Sequence, residues 1–321
     1  MSQVVKPALW LWVLLVIGVE AGAQDLISNE VVEDDAHDPV LEVIQTKAWL
    51  DYRLSPVDRR LALEEASADN PFSIRPHRTS YLLPVSYNSH LNRETWQGNS
   101  GRELTADNLD ELEAKFQISL KAVLLDEIVT PDISLSFAYT QQSYWQLYNP
   151  GASRPFRETV HEPELFLGVL TDFNLLGLHH RIFRLGVVHQ SNGQSDPLSR
   201  SWNRIYGQFV LERNRFVIDL RAWYRIKEEG DKDDNPDIHK YLGYGDLRFN
   251  YYLNQHELSL MLRNNLDDED NRGAIQLDWS FPLYKKIRGY VQYFNGYGES
   301  LIDYNHSTNR IGIGFMLINW M

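Results

Sequence analysis

Three polar residues that could carry out nucleophilic catalysis lie at the ends of two predicted strands joined by one loop. His189 and Ser191 end the first strand, and Asn203 begins the second. A histidine beside a serine can activate its hydroxyl to attack a carbonyl carbon, and an amide oxygen can orient the imidazole where aspartate does so more often. A structural histidine and a turn-forming asparagine are the alternative interpretation of these residues.

The flanking residues indicate which way these side chains point. In RIFRLGVVHQS, apolar side chains occupy every second position, and His189 and Ser191 continue that series. In RIYGQFVLE, the segment that follows Asn203, apolar residues also recur at every second position, and Asn203 lies an even number of positions from them. Residues two apart on a strand lie roughly 7 Å apart on one face, so we expect the three side chains to share the apolar face. Polar groups on a lipid-facing surface are costly unless they have a role, which favours catalysis.

Twelve segments of apolar and polar alternation predict the elements that position this trio. They span roughly 78–89, 114–125, 132–144, 161–173, 180–191, 203–213, 215–226, 241–253, 256–265, 272–282, 286–297 and 308–319. Their connections alternate between short and long, as the periplasmic turns and extracellular loops of outer-membrane barrels do. We therefore expect an all-β fold, a twelve-stranded antiparallel transmembrane β-barrel. A soluble sandwich would show the same alternation but has no reason to alternate its loop lengths.

The N-terminal segment predicts export. A basic residue precedes a short apolar run, and an Ala-Gly-Ala sequence that ends at residue 23 matches a signal-peptide cleavage site. We expect a signal peptide over 1–23, a periplasmic extension over 24–70 and the barrel, with a catalytic site on its outer face, over 71–321. An uncleaved anchor helix is the alternative for the first segment, although the run is short for a membrane span.

The composition removes several classes of function. The chain of 321 residues has no cysteine, which excludes disulfides, thiolate metal sites and cysteine nucleophiles. Its net charge of −13 and its lack of basic clusters argue against nucleic-acid binding. Its 17 tyrosines and 9 tryptophans suit the aromatic girdles of a membrane barrel.

Several ordered motifs resemble the outer membrane phospholipase A family. They are HQSNGQSDPLSRSWNRIY, DDNPDIHKYLGY, YGESLIDYN, AYTQQSYWQLYN and PFRETVHEPELFLG, and the likeness runs from about residue 71 to the end of the chain. The resemblance implies His189, Ser191 and Asn203 as the catalytic triad at the extracellular leaflet of a Gram-negative outer membrane. It also implies calcium-dependent hydrolysis of acyl ester bonds in phospholipids and lysophospholipids, by a homodimer that is dormant as a monomer.

The resemblance further implies ligands for calcium ions (Ca2+). A first site would use the carbonyl of Gln194, the hydroxyl of Ser199 and a carbonyl at Ser153 of the partner subunit, with the amide of Gly193 helping to hold the oxyanion; a second, weaker site would pair Asp196 with Asp234. Independently, the oxygen-rich loop NGQSDPLS suits calcium rather than zinc. A solvated acidic loop is the alternative interpretation of DKDDNPD.

Departures from the family pattern are small. Gln190 stands where the family leads us to expect an acidic residue, and Gln194 where we expect arginine. The second change matters little if only the carbonyl of Gln194 binds metal. The chain ends INWM rather than on an aromatic residue.

Gln141 is a candidate for the dimer interface, because it has the outward parity of Ile133, Leu135 and Phe137. An amide that faces hydrocarbon should find a partner, most simply its symmetry mate across a two-fold axis, and the family's interface uses a glutamine at this position. Solvent at the headgroup level would also satisfy it. The competing functions are a passive porin and an adhesive or structural barrel, and neither accounts for a polar trio on the lipid face.

Overall fold

The computed structural model describes residues 54–66, 73–97, 103–230, 233–285 and 287–318. The predicted signal peptide and most of the predicted extension therefore lie outside the described residues. Within these ranges, no helix combines the length and the apolar character that a membrane crossing demands.

The described residues form one antiparallel sheet that closes on itself. Its strands are β1 (Arg75–Pro76), β2 (Ser80–Asn88), β3 (Leu112–Leu125), β4 (Ile133–Trp145), β5 (Phe156–Leu175), β6 (Leu178–Ser191), β7 (Ser201–Arg213), β8 (Phe216–Ile226), β9 (Gly245–Leu253), β10 (His256–Asn264), β11 (Gly273–Tyr284), β12 (Ile287–Tyr297) and β13 (Ser307–Ile318). The short β1 pairs with β3 next to β2, and β3 also pairs with β4, which closes the wall. Strands β2–β13 thus confirm the twelve-stranded antiparallel β-barrel.

The connections show the predicted alternation of length. Turns at 176–177, 214–215 and 254–255 join strands at one end of the barrel, and segment 126–132 at that end is longer. At the other end the connections are long, at 89–111, 146–155, 192–200, 227–244, 265–272 and 298–306. We call the first end the turn end and the second the loop end.

Most strands lie within two residues of their predicted bounds, and two begin four or more residues away from them. The strand β5 extends beyond the predicted 161–173 in both directions. The strand predicted over 241–253 begins only at Gly245, because helix α2 (His239–Leu242) precedes it. Gly243 ends that helix at φ +63°, and a Cβ there would lie 2.4 Å from the carbonyl oxygen of Asn264. Only glycine allows both this backbone conformation and this close approach.

Side chains alternate between the two faces of the wall. In β13, Ile311, Ile313 and Leu317 are exposed at 53%, 55% and 56% on the outside, whereas Arg310 and Met316 are buried on the inside. The outer surface is therefore apolar and the lumen polar, which is the arrangement of a barrel that stands in lipid. Each of strands β2–β13 pairs with a neighbour on both sides, so the backbone hydrogen bonds are satisfied within the wall.

Paired charges occupy much of the lumen near the loop end. Arg157 Nε lies 2.6 Å from Glu113 Oε1, and its Nη1 lies 2.5 Å from Asp303 Oδ2. Glu299 lies 3.0 Å from Lys115 Nζ and 2.8 Å from Arg310 Nε. Buried charges are tolerated only when they are paired and hydrogen-bonded, so this network fixes the wall from within.

Helix α1 (Pro56–Glu65) closes the lumen at the turn end. Ser55 caps the helix, since its hydroxyl accepts a hydrogen bond from the backbone N–H of Asp58 at 3.0 Å. Val57 is buried with lumen-facing side chains of β6–β9, namely Ile182, Val210, Val217 and Tyr252. Ion pairs from Asp58 to Arg181 and from Glu64 to Lys121 hold the helix to the wall. Residues 54–66 thus pack against the inside of the barrel wall.

Candidate active site

The hairpin of β6 and β7 brings the predicted trio together at the loop end. The strand register pairs His189 with Asn203 and Ser191 with Ser201. The imidazole of His189 is exposed on the outer face, in line with Leu185, which is 48% exposed. Residues of the opposite parity, such as Val188, are buried on the lumen side.

One hydrogen bond links two members of the trio. Nδ1 of His189 lies 2.9 Å from Oδ1 of Asn203. An amide oxygen can only accept, so in this arrangement Nδ1 of the neutral imidazole carries the hydrogen. The lone pair of Nε2 is then free to accept a proton from another group.

Ser191 is the half-buried last residue of β6. It lies opposite His161 of β5 on one side and opposite Ser201 of β7 on the other. Among the described residues no hydrogen bond joins its hydroxyl to His189, two positions away on the same face. Hydrogen bonds between catalytic groups are often long until substrate binds, so this geometry is compatible with a nucleophile.

Asn192 organises the loop that follows. Its side chain is buried at 3% exposure and donates to the carbonyl of Leu198 at 2.9 Å. Its Oδ1 accepts from the backbone N–H groups of Gln194 at 3.3 Å and Arg200 at 3.0 Å. Asn192 is not among the site residues predicted from the sequence, although an asparagine directly before a glycine is a common signal of a side-chain-stabilised turn.

The predicted oxyanion donor and calcium ligands lie on loops of this end. Gly193 has φ +62°, with no atom within 4 Å of an added Cβ, so backbone conformation rather than space requires the glycine. Ser199 Oγ donates to Asp234 Oδ2 at 2.6 Å, which joins one residue of each predicted calcium site. Ser153 follows the short 3-10 helix Pro150–Ala152, and Ala152 packs in the same apolar cluster as Leu198.

The donors around these loops are oxygen atoms. Among the described residues, no group of three or more histidine, aspartate or glutamate side chains is arranged to hold a metal ion. Hydroxyl and carbonyl oxygens would therefore have to supply much of any coordination sphere. This is a donor set that calcium accepts.

Gln141 lies on the outer face of β4 and has partners within its own chain. It accepts from the hydroxyl of Tyr139 at 3.4 Å and donates to Ser143 Oγ at 3.2 Å. The same Tyr139 hydroxyl lies 2.6 Å from Nδ1 of His161, which pairs with Gln141 across the sheet. His161 thus connects Gln141 with Ser191 in one polar row, a link that the sequence analysis did not find.

The departure at Gln190 has a structural reason. Gln190 points into the barrel, where its Oε1 accepts from Trp202 Nε1 at 2.6 Å and from Arg204 Nη2 at 3.2 Å. Arg204 also lies 3.5 Å from Glu162 and 4.0 Å from the centre of the Trp202 ring. A neutral acceptor is sufficient at position 190, because another carboxylate already faces the guanidinium.

Comparisons with known proteins identify the family of this chain. The phospholipase A1 family model matches residues 57–317. Phospholipase A1 of Escherichia coli (strain K12) is 43% identical over 249 residues, which cover 78% of this chain and 83% of that protein. A putative phospholipase A1 of Neisseria meningitidis is 40% identical over 268 residues, which cover 82% of this chain and 70% of that protein.

Solved structures show the same barrel. The outer membrane phospholipase A of Escherichia coli superposes with a TM-score of 0.73 at 42% identity, over 79% of this chain and 95% of that one. The outer membrane phospholipase dimer of Salmonella typhi with bound calcium superposes with a TM-score of 0.73 at 41% identity, with the same coverage. The matched segment contains the barrel and the polar trio on its outer face, and the chain belongs to the phospholipase A1 family.

Proposed function

We propose that this phospholipase cleaves acyl ester bonds of phospholipids and lysophospholipids with Ser191 as nucleophile, His189 as general base and Asn203 as the residue that orients His189. The observation that carries the proposal is the hydrogen bond of 2.9 Å between His189 and Asn203 on the outer face, on the strand that ends in Ser191. Such a trio faces lipid, so substrate can reach it without leaving the bilayer.

The reaction follows from the protonation states that this geometry favours. The hydroxyl of Ser191 attacks the carbonyl carbon of the ester, and Nε2 of His189 takes the hydroxyl proton. The imidazolium returns that proton to the leaving alcohol as the ester bond breaks, which leaves an acyl-enzyme. Water, deprotonated by His189, then releases the fatty acid and restores the serine. Asn203 keeps Nδ1 of His189 bonded throughout.

The oxyanion of each tetrahedral intermediate needs fixed donors. The backbone N–H of Gly193, two residues after the nucleophile, would supply one. Calcium would be held by the Gln194 carbonyl and the Ser199 hydroxyl, with a carbonyl at Ser153 of the partner subunit. When bound, it would add positive potential where the oxyanion forms.

A second, weaker calcium site would use Asp196 and Asp234. The support is the oxygen chemistry of loop 192–200 and the contact between Ser199 Oγ and Asp234 Oδ2 at 2.6 Å. Asp234 already accepts a hydrogen bond from Ser199, the proposed ligand of the first site, so it would couple calcium binding at the two sites.

We further propose a homodimer as the active form and a dormant monomer. A site that draws a ligand from Ser153 of the partner subunit is incomplete in one chain, and Gln141 would lie in the interface. The relative from Salmonella typhi is described as a dimer with bound calcium. Dormancy protects the cell, because a phospholipase that is always active would destroy its own membrane.

The site would lie at the extracellular leaflet of the outer membrane. The long connections lie at the same end as the trio, and long loops are extracellular in bacterial barrels. The chain would reach that membrane after removal of the signal peptide over 1–23, with residues between it and α1 in the periplasm.

The test is acyl release from phospholipid in detergent micelles by the purified, refolded chain. We expect activity with calcium and its loss with a chelator, and a sulfonyl fluoride should label Ser191 in the wild type but not in Ser191→Ala, as read by peptide mass spectrometry. Activity that persists in chelator would reject the calcium proposal, and label on another serine would reject the nucleophile.

A further inference from the structure

The amide of Asn203 is held from its far side by a carboxylate. Its Nδ2 donates to Glu228 Oε1 at 2.7 Å. Glu228 is the second residue of the loop after β8, and the register pairs Asn203 with Ile226, the last residue of that strand. The contact therefore follows from the strand pairing, which brings the start of the loop beside the triad.

This contact determines which way the amide faces. The oxygen and nitrogen of an asparagine side chain have almost the same shape, so the amide can lie in either of two orientations. An ionised carboxylate only accepts hydrogen bonds, so Glu228 selects the orientation that turns Nδ2 toward it. Oδ1 then faces His189, and Nδ1 must carry the hydrogen of the neutral imidazole.

We propose that Glu228 is a positioning residue of the catalytic triad, which acts through Asn203. It fixes the tautomer that leaves Nε2 of His189 available to Ser191, a selection that aspartate would make alone but asparagine cannot. Through Asn203, its negative charge also stabilises the imidazolium that forms during catalysis. This inference rests on the proposed triad.

The loop does not need this contact to keep its place. Arg225 is paired with Asp233, and Asn235 Oδ1 accepts from the backbone N–H of Ser201 at 3.0 Å. Asp237 accepts from the hydroxyl of Tyr304 at 2.6 Å. These three anchors lie further along the loop, so removal of the Glu228 carboxylate should affect the triad before it affects the fold.

The first experiment measures kcat and KM of Glu228→Ala and Glu228→Gln. We expect kcat to fall roughly 10- to 100-fold in the first and less in the second, whose side-chain oxygen can still accept, with KM nearly unchanged. Glu229→Gln removes the same charge from the next residue and is the matched control. Equal kcat in wild type and Glu228→Ala would overturn the inference.

The decisive experiment relocates the charge. Asn203→Asp alone places two carboxylates in contact, which should lower kcat. In the double variant Asn203→Asp with Glu228→Gln, the new amide can donate to the new carboxylate, and we expect kcat at least about 10-fold above that of Asn203→Asp. A purely structural Glu228 would give independent effects, so a double variant no better than Asn203→Asp would reject the proposal.

Ser191→Ala in the same assay separates this inference from the proposed function. Full acyl release by Ser191→Ala would reject the triad and the inference together. An inactive Ser191→Ala beside unimpaired Glu228 variants would reject the inference alone. Folding of every variant is checked by the gel mobility of the unheated barrel.

Discussion

The outer face at the loop end and the lumen hold polar side chains in different ways. His189 is exposed on the outer face, and Asn203 is its one described hydrogen-bond partner. In the lumen Arg157 and Glu299 are buried, and each pairs with two opposite charges. A polar group with many partners holds structure, whereas one with spare hydrogen-bonding capacity can act on a substrate. The comparison predicts that outer-face changes alter rate and lumen changes alter stability.

The largest expected effect is on rate, at Ser191. Ser191→Ala should lower acyl release by roughly 10⁴-fold or more, because the proposed nucleophile is lost. Ser201→Ala is the matched control, since Ser201 lies directly opposite on the neighbouring strand. The two variants should unfold at the same temperature as the wild type. Similar losses of activity in both variants would contradict a specific catalytic role for Ser191 on the outer face.

The next effect is on stability, at Glu299. Burial alone would raise its pKa, but Arg310 and Lys115 outweigh burial and lower the pKa from 4.5 to about 2. Glu299→Gln leaves Lys115 without a counter-charge and Arg310 with Glu113 alone, and it should cost about 3–5 kcal/mol of unfolding free energy at neutral pH.

The pH dependence of that effect has a defined sign. A carboxyl whose folded pKa lies below its unfolded value contributes stability above about pH 4.5 and loses it as the pH falls toward 2. The unfolding temperatures of wild type and Glu299→Gln should therefore differ at pH 7 and converge as the pH approaches 2. A difference that stays constant over this range would show that the charge of Glu299 contributes nothing.

A smaller effect on rate is expected at the proposed calcium ligands. Ser199→Ala and Asp234→Asn should each raise the calcium concentration for half-maximal activity by roughly 10- to 100-fold. Calcium titrations of acyl release measure this, and saturating calcium should restore much of the wild-type rate. An unchanged titration in both variants would remove these residues from the site.

The smallest effect is expected at Gln141. Loss of its amide in Gln141→Leu should weaken dimerisation by about 0.6–1.7 kcal/mol, or about 3- to 20-fold in the dissociation constant. Sedimentation in detergent with calcium measures the equilibrium. Since the amide already contacts Tyr139 and Ser143 within one chain, an unchanged equilibrium would mean that these contacts are sufficient.

The barrel could be predicted because its determinants are local in sequence. Alternation at period two and the contrast of loop lengths are visible without any knowledge of contacts. Ile311 and its alternate neighbours in β13 show this directly, since their exposure follows their parity. The start of β9 was wrong because Tyr241 and Leu242 have strand-like character but belong to the helix that Gly243 ends.

The partners of the polar residues could not be predicted in the same way. Glu228 reaches Asn203 only because β7 and β8 are paired in one register, and a shift by one residue would turn it away. His161 meets Ser191 through the pairing of β5 with β6. The ion pairs of α1 depend on a helix that folds back into the wall. These contacts depend on the strand register and on how α1 packs against the barrel, and residue types alone specify neither.

The closure of the turn end by α1 bears on what this enzyme does to the membrane that carries it. A barrel of this size could conduct ions, but paired charges occupy part of its interior and α1 packs against the inside of the wall at the turn end. The proposed catalytic trio lies on the outer face of the wall, so the interior need not admit substrate. We therefore expect many copies to reside in the outer membrane with little leak of solutes through their barrels.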